Sequence, residues 1–324
     1  MENQIINVAS ATLPVNEELI IKKHRLSSAV SPMEKQRRIC IVTGIHGDEL
    51  EGQYVAYELA RRIEENSDSL NGIVDIYPAM NPFGIDSVTR GIPAFDLDMN
   101  RIFPGNMQGD MNEYLASEIV EDMVGADLCL DIHASNIFLT EVPQIRINEL
   151  HKDELVPIAE KSNIDFIWVH GASTVLESTF AYSMNSRGVP TLVVEMGVGM
   201  RITKEYGNQM VDGIFNLMSE AGIWKGSVPK VRKPVISYDT DGFDVYYLNA
   251  PVSGVFIKDK NHGELVVEGE HIGRIVNPLS GELLSNIVAP ATGWLFTIRE
   301  YPMVEEGSLM GRILKQEVYD KCRG

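Results

Sequence analysis

Cysteine is scarce in this chain of 324 residues, where it occurs only at positions 40, 129 and 322. An odd number of cysteines without close spacing does not make a disulfide framework. Cys40 and Cys129 lie within apolar runs, which is typical of small buried side chains. The cysteine pattern therefore fits a reducing compartment, and we expect a cytoplasmic protein.

Long apolar runs are also missing. No apolar stretch approaches the roughly 20 residues that a membrane-spanning helix requires. The first ten residues (MENQIINVAS) lack the basic stretch and apolar core of a signal peptide. The sequence therefore predicts neither a membrane segment nor a secretory signal.

Positive charge is in short supply: 28 Lys and Arg residues stand against 46 Asp and Glu, for a net charge of −18. A general nucleic-acid binder needs a surplus of Lys and Arg to neutralise phosphates, and the same holds for docking on an anionic membrane. A few arginines in a pocket can still bind a small anion. We therefore expect no nucleic acid and no membrane as partner, and the charge is compatible with a small-molecule substrate that carries a carboxylate.

Several catalytic motifs are absent as well. The chain has neither a Gly-rich phosphate-binding loop nor a G-x-S-x-G nucleophile elbow. Its 44% hydrophobic and 23% charged residues are ordinary for a globular protein. The length suffices for one large domain and a small second one.

Short apolar runs alternate with helical periodicity through the first 225 residues. Such runs are typical of strands buried on both faces, and their alternation with helices predicts an α/β fold with a mostly parallel, mixed central sheet flanked by helices. One or two further strands are expected before residue 38. The predicted strands are 38–44, 72–79, 126–132, 165–169 and 190–194, and the predicted helices are 49–65, 111–124, 150–162 and 203–221.

After about residue 226 the composition changes to β-branched residues with regular Gly and Pro. The segment APVSG at 250–254 recurs as APATG at 289–293, and the triplet GRI at 273–275 recurs at 311–313. Two similar β units of this size predict a small sandwich with pseudo-twofold symmetry. We place the domain boundary in the polar segment 226–233, which gives an α/β domain at 1–228 and a β domain at 229–324.

His46 and Glu49 stand where a predicted buried strand gives way to a helix. Because they are three residues apart, their side chains can turn toward one point. Imidazole and carboxylate suit Zn²⁺, and two His with one Glu form a known catalytic set that leaves the fourth position open. The H-x-x-E pattern alone is more often a solvated loop with a helix cap.

The end of the predicted strand 126–132 supplies a third ligand candidate, His133. Sites in open α/β sheets form at the carboxyl ends of strands, although a core histidine is the alternative. Asp131 can orient a ligand imidazole. Glu195, directly after strand 190–194, is a candidate general base, and a buried salt bridge is its alternative role.

Two arginines accompany these residues. Arg101 follows Asn100, and the pair offers an amide and a guanidinium fork for a carboxylate. Arg90 is a candidate for stabilising an oxyanion. For each arginine taken alone, a surface ion pair is the commoner role.

Five short stretches, in this order along the chain, resemble motifs of the succinylglutamate desuccinylase/aspartoacylase family: GIHGDE at 44–49, NPFG at 81–84, MNRIFPG at 99–105, DIHA at 131–134 and VEMG at 194–197. That family looks like a branch of the zinc carboxypeptidase-like hydrolases. Each stretch alone is weak, but together they are specific. The resemblance covers roughly residues 30–220, and the family's β-rich tail matches 230–320 more loosely.

The resemblance implies a site for one Zn²⁺ per chain, bound by His46, Glu49 and His133. It further implies that Glu195 is the general base that later protonates the leaving amine. Asn100 and Arg101 would hold a substrate carboxylate, and Arg90 would polarise the scissile carbonyl.

The function implied is a zinc-dependent deacylase that cleaves the amide bond of an N-acyl amino acid or related small carboxylate. A metallocarboxypeptidase acting on short peptides, an esterase and a non-catalytic binding protein are the alternatives, and Co²⁺, Mn²⁺ or Fe²⁺ could replace zinc. The tail resembles a biotinyl/lipoyl-like sandwich, but residues 277–286 (NPLSGELLSN) carry no lysine for a covalent cofactor. The tail's role and the presence of a homo-oligomer stay open.

Overall fold

Strands and helices alternate through the first two thirds of the chain. The structure, a computed structural model, describes residues 1–29, 32, 36–173 and 176–323. The elements in this part are β1 (Glu2–Thr12), β2 (Glu18–Ser27), β3 (Arg38–Thr43), α1 (Glu51–Glu65), β4 (Ile73–Tyr77), α2 (Pro82–Ser87), α3 (Met111–Met123), β5 (Leu128–Ala134), β6 (Leu139–Asn148), α4 (Lys152–Ala159), β7 (Phe166–His170), α5 (Phe180–Ser186), β8 (Thr191–Gly197) and α6 (Lys204–Glu220). Short 3-10 helices occupy Ser67–Ser69, Met99–Arg101 and Glu149–His151.

Strands dominate the rest of the chain. The elements are β9 (Val235–Asp239), β10 (Val245–Asn249), β11 (Gly254–Lys258), β12 (Glu264–Val266), β13 (His271–Asn277), β14 (Glu282–Val288), β15 (Gly293–Arg299), β16 (Met303–Val304), β17 (Leu309–Lys315) and α7 (Gln316–Arg323). No helix in the described ranges combines the length and the apolar character that crossing a membrane demands.

A large mixed sheet forms the centre of the molecule, in the order β1-β2-β4-β3-β5-β8-β6-β15-β17-β10, with β7 paired to β6 and β9 to β7. β4, β3, β5 and β8 run parallel to one another. The prediction of a mainly parallel α/β sheet flanked by helices is confirmed.

Helices cover both faces of this sheet because its central strands are apolar on both sides. Ile39 and Ile41 of β3 belong to a core cluster with residues of α1, α4 and α6. Cys40 and Val42 of the same strand belong to another cluster, with residues of α3 and α5. Successive side chains of a strand point to opposite faces, so the two clusters lie on opposite sides of the sheet.

The predicted elements differ from the observed ones in three ways that affect the site. β6 was not predicted at all. The predicted strands 126–132 and 190–194 extend to Ala134 and Gly197, which brings His133 and Glu195 inside β5 and β8. Helix α1 begins at Glu51 rather than at residue 49, so Glu49 belongs to the loop before it.

The C-terminal β region consists of two layers. A second sheet, in the order β14-β13-β11-β16, shares one buried cluster with β10, β12, β15 and β17 of the large sheet. Strands β10–β13 and β14–β17 are the two copies of the predicted repeat, and they exchange partners symmetrically: β11 pairs with β16, and β15 pairs with β12.

Glycine begins the equivalent strands β11 and β15 for a steric reason. A Cβ on Gly293 would lie 2.1 Å from the carbonyl oxygen of Leu314, and one on Gly254 would lie 2.6 Å from Cγ2 of Ile275. The repeated glycines therefore allow close approach of a neighbouring strand.

Strand pairing continues across the predicted domain boundary after residue 228. Thr297 of β15 pairs with Glu141 of β6, and β9 pairs with β7 in parallel. The division into 1–228 and 229–324 remains a prediction about independent units, whereas the hydrogen-bonded sheet is shared by both segments.

Candidate metal centre

A cavity of about 290 Å³ opens where β3, β5 and β8 end. All seven site residues expected from the sequence line it, namely His46, Glu49, Arg90, Asn100, Arg101, His133 and Glu195. The sheet order places β3, β5 and β8 side by side, so residues far apart in sequence meet at one edge of the sheet. This is the position at which parallel α/β sheets build their sites.

His46, Glu49 and His133 form a compact buried cluster. One possible ligand atom from each lies within 4.8 Å of the others. Nδ1 of His46 lies 2.8 Å from Oε1 of Glu49, and Nδ1 of His133 lies 2.9 Å from Oε2 of the same carboxylate. Nδ1 of His46 is buried, and its close contact with Glu49 does not have hydrogen-bond geometry. Two imidazoles and one carboxylate that converge in this way fit a zinc ion with an open position.

The loop between β3 and α1 holds the first two members of this cluster. Gly44 ends the strand with φ +70°, a conformation that glycine adopts without strain. Gly47 packs against the backbone of Gly84, where an added Cβ would lie only 1.9 Å from the Gly84 carbonyl carbon. The two glycines let the loop and the start of α2 come close enough to fix His46 and Glu49.

A carboxylate contacts the far side of each imidazole. Nε2 of His133 lies 3.1 Å from Oδ2 of Asp131, and Nε2 of His46 lies 3.1 Å from Oδ1 of Asp98. Such partners fix the tautomer and the ring orientation of metal-binding histidines. With each Nε2 protonated toward its carboxylate, both Nδ1 atoms would offer lone pairs to a metal ion bound beside Glu49; without an ion, a protonated Nδ1 of His133 donates to Glu49.

Asp131 was predicted from the sequence as a partner of a ligand imidazole, whereas Asp98 was not. Asp98 lies in the loop before the 3-10 helix Met99–Arg101, and its side chain accepts a hydrogen bond from the backbone N–H of Asn100 at 2.9 Å. That contact caps the turn, which is the common role of Asp before a helix. The local sequence therefore indicated a cap and gave no sign of the distant histidine.

The electrostatics of the cluster favour a cation. Burial lowers the pKa of His133, but the carboxylates of Asp131 and Glu49 outweigh this effect, so its pKa lies well above the usual value. Burial raises the pKa of Glu49, but the two histidines more than reverse this, so its pKa lies below the usual range. Three carboxylates around two imidazoles thus attract positive charge, and a divalent ion would supply it.

Arg90 reaches the same carboxylates. Its Nη1 lies 2.9 Å from Oε1 of Glu49, and its Nη2 lies 3.4 Å from Oδ2 of Asp98. Arg90 therefore forms two ion pairs, and both of its partners belong to the cluster or contact it. Arg90 is half exposed at the mouth of the cavity, next to the cluster.

Glu195 lies beside the cluster on the neighbouring strand, in register with His133. Burial raises the pKa of its carboxyl above the usual value, against the opposing effect of Arg146 and His133. Nη1 of Arg146 lies 3.4 Å from Oε1 of Glu195. A carboxylate with a raised pKa next to a metal-type cluster has the properties of a general base.

Asn100 and Arg101 lie in the 3-10 helix at the cavity wall. Oδ1 of Asn100 accepts a hydrogen bond from the N–H of Phe180 at 2.8 Å, which anchors this turn to α5. Arg101 is exposed and donates to the carbonyl oxygen of Asn100 at 2.7 Å. No carboxylate in the described part of the chain forms an ion pair with Arg101, so its guanidinium is available to an anionic ligand.

Several cavity residues were not anticipated from the sequence. Arg146 and Glu141 come from the unpredicted strand β6, and Arg312 comes from β17 in the C-terminal region. His151 and His170 also line the cavity. Their identity as site residues depends on long-range strand pairing, which local spacing does not reveal.

Comparison with known proteins agrees with this arrangement. Residues 35–221 match the model of the Succinylglutamate desuccinylase/Aspartoacylase catalytic domain. Among curated proteins, the chain is similar to an N-alpha-acetyl-L-2,4-diaminobutyric acid deacetylase from Halomonas elongata, with 25% identity over 240 residues, which cover 72% of this chain and 68% of that protein.

Solved structures share the fold over nearly the whole chain. A succinylglutamate desuccinylase from Silicibacter superposes with a TM-score of 0.81 at 20% identity, covering 97% of this chain and 96% of that one. The product-bound ectoine utilization protein EutE (DoeB) from Ruegeria pomeroyi gives 0.79 at 19% identity, covering 98% and 96%. A succinylglutamate desuccinylase/aspartoacylase from Rhodobacter sphaeroides gives 0.78 at 23% identity, covering 97% and 95%. Because the sequence identities lie between 19% and 23%, these structural comparisons show a shared fold.

Proposed function

The chain belongs to the succinylglutamate desuccinylase/aspartoacylase family, and on that premise we propose that it is a zinc-dependent hydrolase that cleaves the amide bond of an N-acyl amino acid. The observation that carries the proposal is the buried cluster of His46, Glu49 and His133, with a carboxylate behind each imidazole. A cluster with a purely structural role does not require the Nδ1 atoms of two histidines to converge on one carboxylate.

One Zn²⁺ per chain is the proposed cofactor, with His46, Glu49 and His133 as its ligands. When bound, zinc supplies a Lewis acid and lowers the pKa of water toward about 7. Asp98 and Asp131 hold the two imidazoles in the tautomer that such binding needs.

Glu195 is the proposed general base. Its carboxylate accepts a proton from the attacking water and returns that proton to the leaving amine nitrogen as the C–N bond breaks. The burial that raises its pKa brings the affinity of the carboxylate for a proton closer to what both steps require. Arg90 donates N–H groups to the acyl oxygen, where negative charge develops.

Arg101, supported by Asn100, is the proposed anchor for the substrate carboxylate. Its guanidinium lines the cavity, donates to the carbonyl oxygen of Asn100 and has no acidic partner in the described part of the chain. A fixed carboxylate places the acyl group against the metal cluster, so binding energy is used for positioning. The cavity, about 290 Å³ in volume, suits a small molecule.

Metal analysis combined with a substrate screen tests this function. We expect about one equivalent of zinc per wild-type chain and loss of that zinc in His46→Ala. His271→Ala is the matched control, because His271 also contacts a carboxylate, Asp259 at 2.9 Å, but lies on the exposed surface.

The screen compares N-acyl amino acids, short peptides with a free carboxyl terminus, and esters. Hydrolysis of N-acyl amino acids, lost in Glu195→Gln, supports the proposal. Preferential release of a carboxyl-terminal residue from peptides would replace it with a carboxypeptidase. If wild type binds no zinc even when zinc is supplied, the hydrolase assignment fails and the binding-protein alternative takes its place.

A further inference from the structure

A chain of four charged side chains connects the proposed general base to the C-terminal β region. Glu195 lies 3.4 Å from Nη1 of Arg146. Nη2 of Arg146 donates to Oε2 of Glu141 at 2.8 Å, and Oε1 of Glu141 accepts from Nη1 of Arg312. Two carboxylates thus alternate with two guanidiniums between the cavity and β17.

Strand register brings these residues together. Glu141 of β6 pairs with Thr297 of β15, and Thr297 pairs with Arg312 of β17. The three side chains therefore stand in a row across adjacent strands, and Oγ1 of Thr297 donates to Oε1 of Glu141 at 3.1 Å. An irregularity in β6 between Glu141 and Gln144 separates this row from the part of the strand that carries Arg146.

Burial makes the chain of charges interdependent. The side chain of Glu141 is 0% exposed, and that of Arg312 is 16% exposed. A buried carboxylate needs charged or hydrogen-bonding partners, and removal of one partner is costly. The ring of Trp168 lies 5.9 Å from the guanidinium carbon of both Arg146 and Arg312, so the two cations are also held against one aromatic surface.

We propose that Arg312 is a positioning residue for the reaction, because it shares the charge of Glu141 with Arg146 and thereby leaves Nη1 of Arg146 to hold Glu195 in place. This inference rests on the proposed function, in which Glu195 is the base. Without Arg312, Glu141 takes Arg146 as its only cation and draws the guanidinium away from Glu195. The C-terminal β region is then part of the catalytic apparatus, and not merely an adjoining module.

The internal repeat supplies a matched control. Arg274 occupies the position equivalent to Arg312 in the other copy of the GRI triplet. Its Nη1 pairs with Asp259 at 2.9 Å, and both side chains are about 40% exposed, at 43% and 39%. Arg274→Met therefore removes the same group from the same kind of strand, far from the cavity.

The test compares the kinetics of Arg312→Met and Arg274→Met on the best N-acyl amino acid substrate. Misplacement of a catalytic group by about 1 Å costs on the order of 100-fold, so we expect kcat of Arg312→Met to fall by about 10- to 100-fold. KM should change by less than about threefold, because ground-state binding is not removed. Arg274→Met should match wild type in both constants.

A double-mutant cycle with Arg146→Met separates positioning from general damage. If Arg312 acts through Arg146, the two effects on kcat are not additive, and the double variant is no slower than Arg146→Met alone. Arg312→Lys replaces Arg312→Met in this test if the methionine variant does not fold. It keeps the positive charge but loses the guanidinium fork, so we expect a smaller loss of kcat. Wild-type kcat in Arg312→Met, or additive losses, would overturn the inference.

Crystal structures of the wild-type and Arg312→Met proteins test the inference independently of enzyme activity, and therefore independently of the proposed function. In Arg312→Met, the distance from Nη1 of Arg146 to Oε1 of Glu195 should exceed the 3.4 Å of the native chain. An unmoved Arg146 refutes the inference whether or not a substrate is known. A wild-type protein without hydrolytic activity refutes the proposed function instead.

Discussion

Nε2 of His46 lies 3.1 Å from Oδ1 of Asp98, a residue 52 positions further along the chain. The contact repeats the relation between His133 and Asp131, so each imidazole of the cluster has a carboxylate behind it. Asp98 also contacts Arg90. One loop aspartate thus links a proposed metal ligand to the proposed carbonyl-polarising arginine.

Replacement of Asp98 by Asn should weaken metal binding. Loss of such a partner typically costs 10- to 100-fold in metal affinity, and we expect a change of this size in Asp98→Asn. Competition with a chromophoric zinc chelator measures it. Asp96→Asn is the control, because Asp96 is an exposed residue of the same loop. Equal zinc affinity in Asp98→Asn and wild type would show that this carboxylate does not support the ligand.

The general base should control the acid side of the pH profile. Burial raises the pKa of Glu195 above 4.5, and a base acts only when it is deprotonated. Activity should therefore be lost as the pH falls through this raised pKa, and the acidic limb of kcat/KM should lie above pH 4.5. Glu195→Gln should retain zinc, lower kcat by about 100- to 10,000-fold, and abolish that limb. An unchanged limb in the variant would assign it to another group.

Removal of the Arg101 guanidinium should weaken binding of the substrate carboxylate. Because Arg101 has no acidic partner in the described ranges, Arg101→Ala should leave the unfolding free energy nearly unchanged. We expect KM for a carboxylate substrate to rise by about tenfold or more, whereas the amide-capped analogue should respond little. Arg187→Ala is a control with another exposed arginine. An equal rise of KM for both substrates would argue against a carboxylate anchor at this residue.

An ion-pair network on α1 and α6 stabilises the fold outside the site. Glu58 of α1 binds Arg61 and Arg62, which hold its pKa at about 2 although burial alone would raise it. Arg62 also forms an ion pair with Asp212 of α6 at 2.8 Å. The contacts from Glu58 through Arg62 to Asp212 therefore connect two helices that cover one face of the sheet. Glu58→Gln should lower the free energy of unfolding by about 1–2 kcal/mol at neutral pH.

The sign of the pH effect follows from the lowered pKa. The carboxylate contributes its stability above its unfolded pKa near 4.5, and that contribution disappears as the pH falls toward about 2. Urea unfolding at pH 7 and pH 3 should therefore show a smaller difference between Glu58→Gln and wild type at the lower pH. Glu65→Gln is the control, since Glu65 pairs with the same Arg61 but is 58% exposed. Equal losses in the two variants would contradict a special role for Glu58.

The sequence predicted those site residues that stand at the ends of apolar strands. His46, His133 and Glu195 each follow or end a run that is apolar because both faces of the strand are buried, and such runs are visible in the sequence. The parallel arrangement of these strands then brings their ends together. Fold class and proposed ligand set could therefore be inferred without coordinates.

β6 could not be predicted in the same way. Its sequence, LTEVPQIRIN, contains a proline and three polar or charged residues at buried positions. Glu141 is tolerated there because Arg146 and Arg312 satisfy it, and one of these partners is 171 residues away. Because its stabilising partners are distant in sequence, such a strand resembles a polar loop when only local sequence is considered. Asp98 and Arg312 were not predicted as cavity residues for the same reason.

The position of β6 also has a consequence for biosynthesis. This strand is hydrogen-bonded to β8 and β7, which follow it closely, and to β15, which is made about 150 residues later. Late pairing of this kind slows folding and leaves a strand edge exposed on the nascent chain. The start of β6, which carries Glu141, therefore lacks its β15 partner until most of the chain has been synthesised.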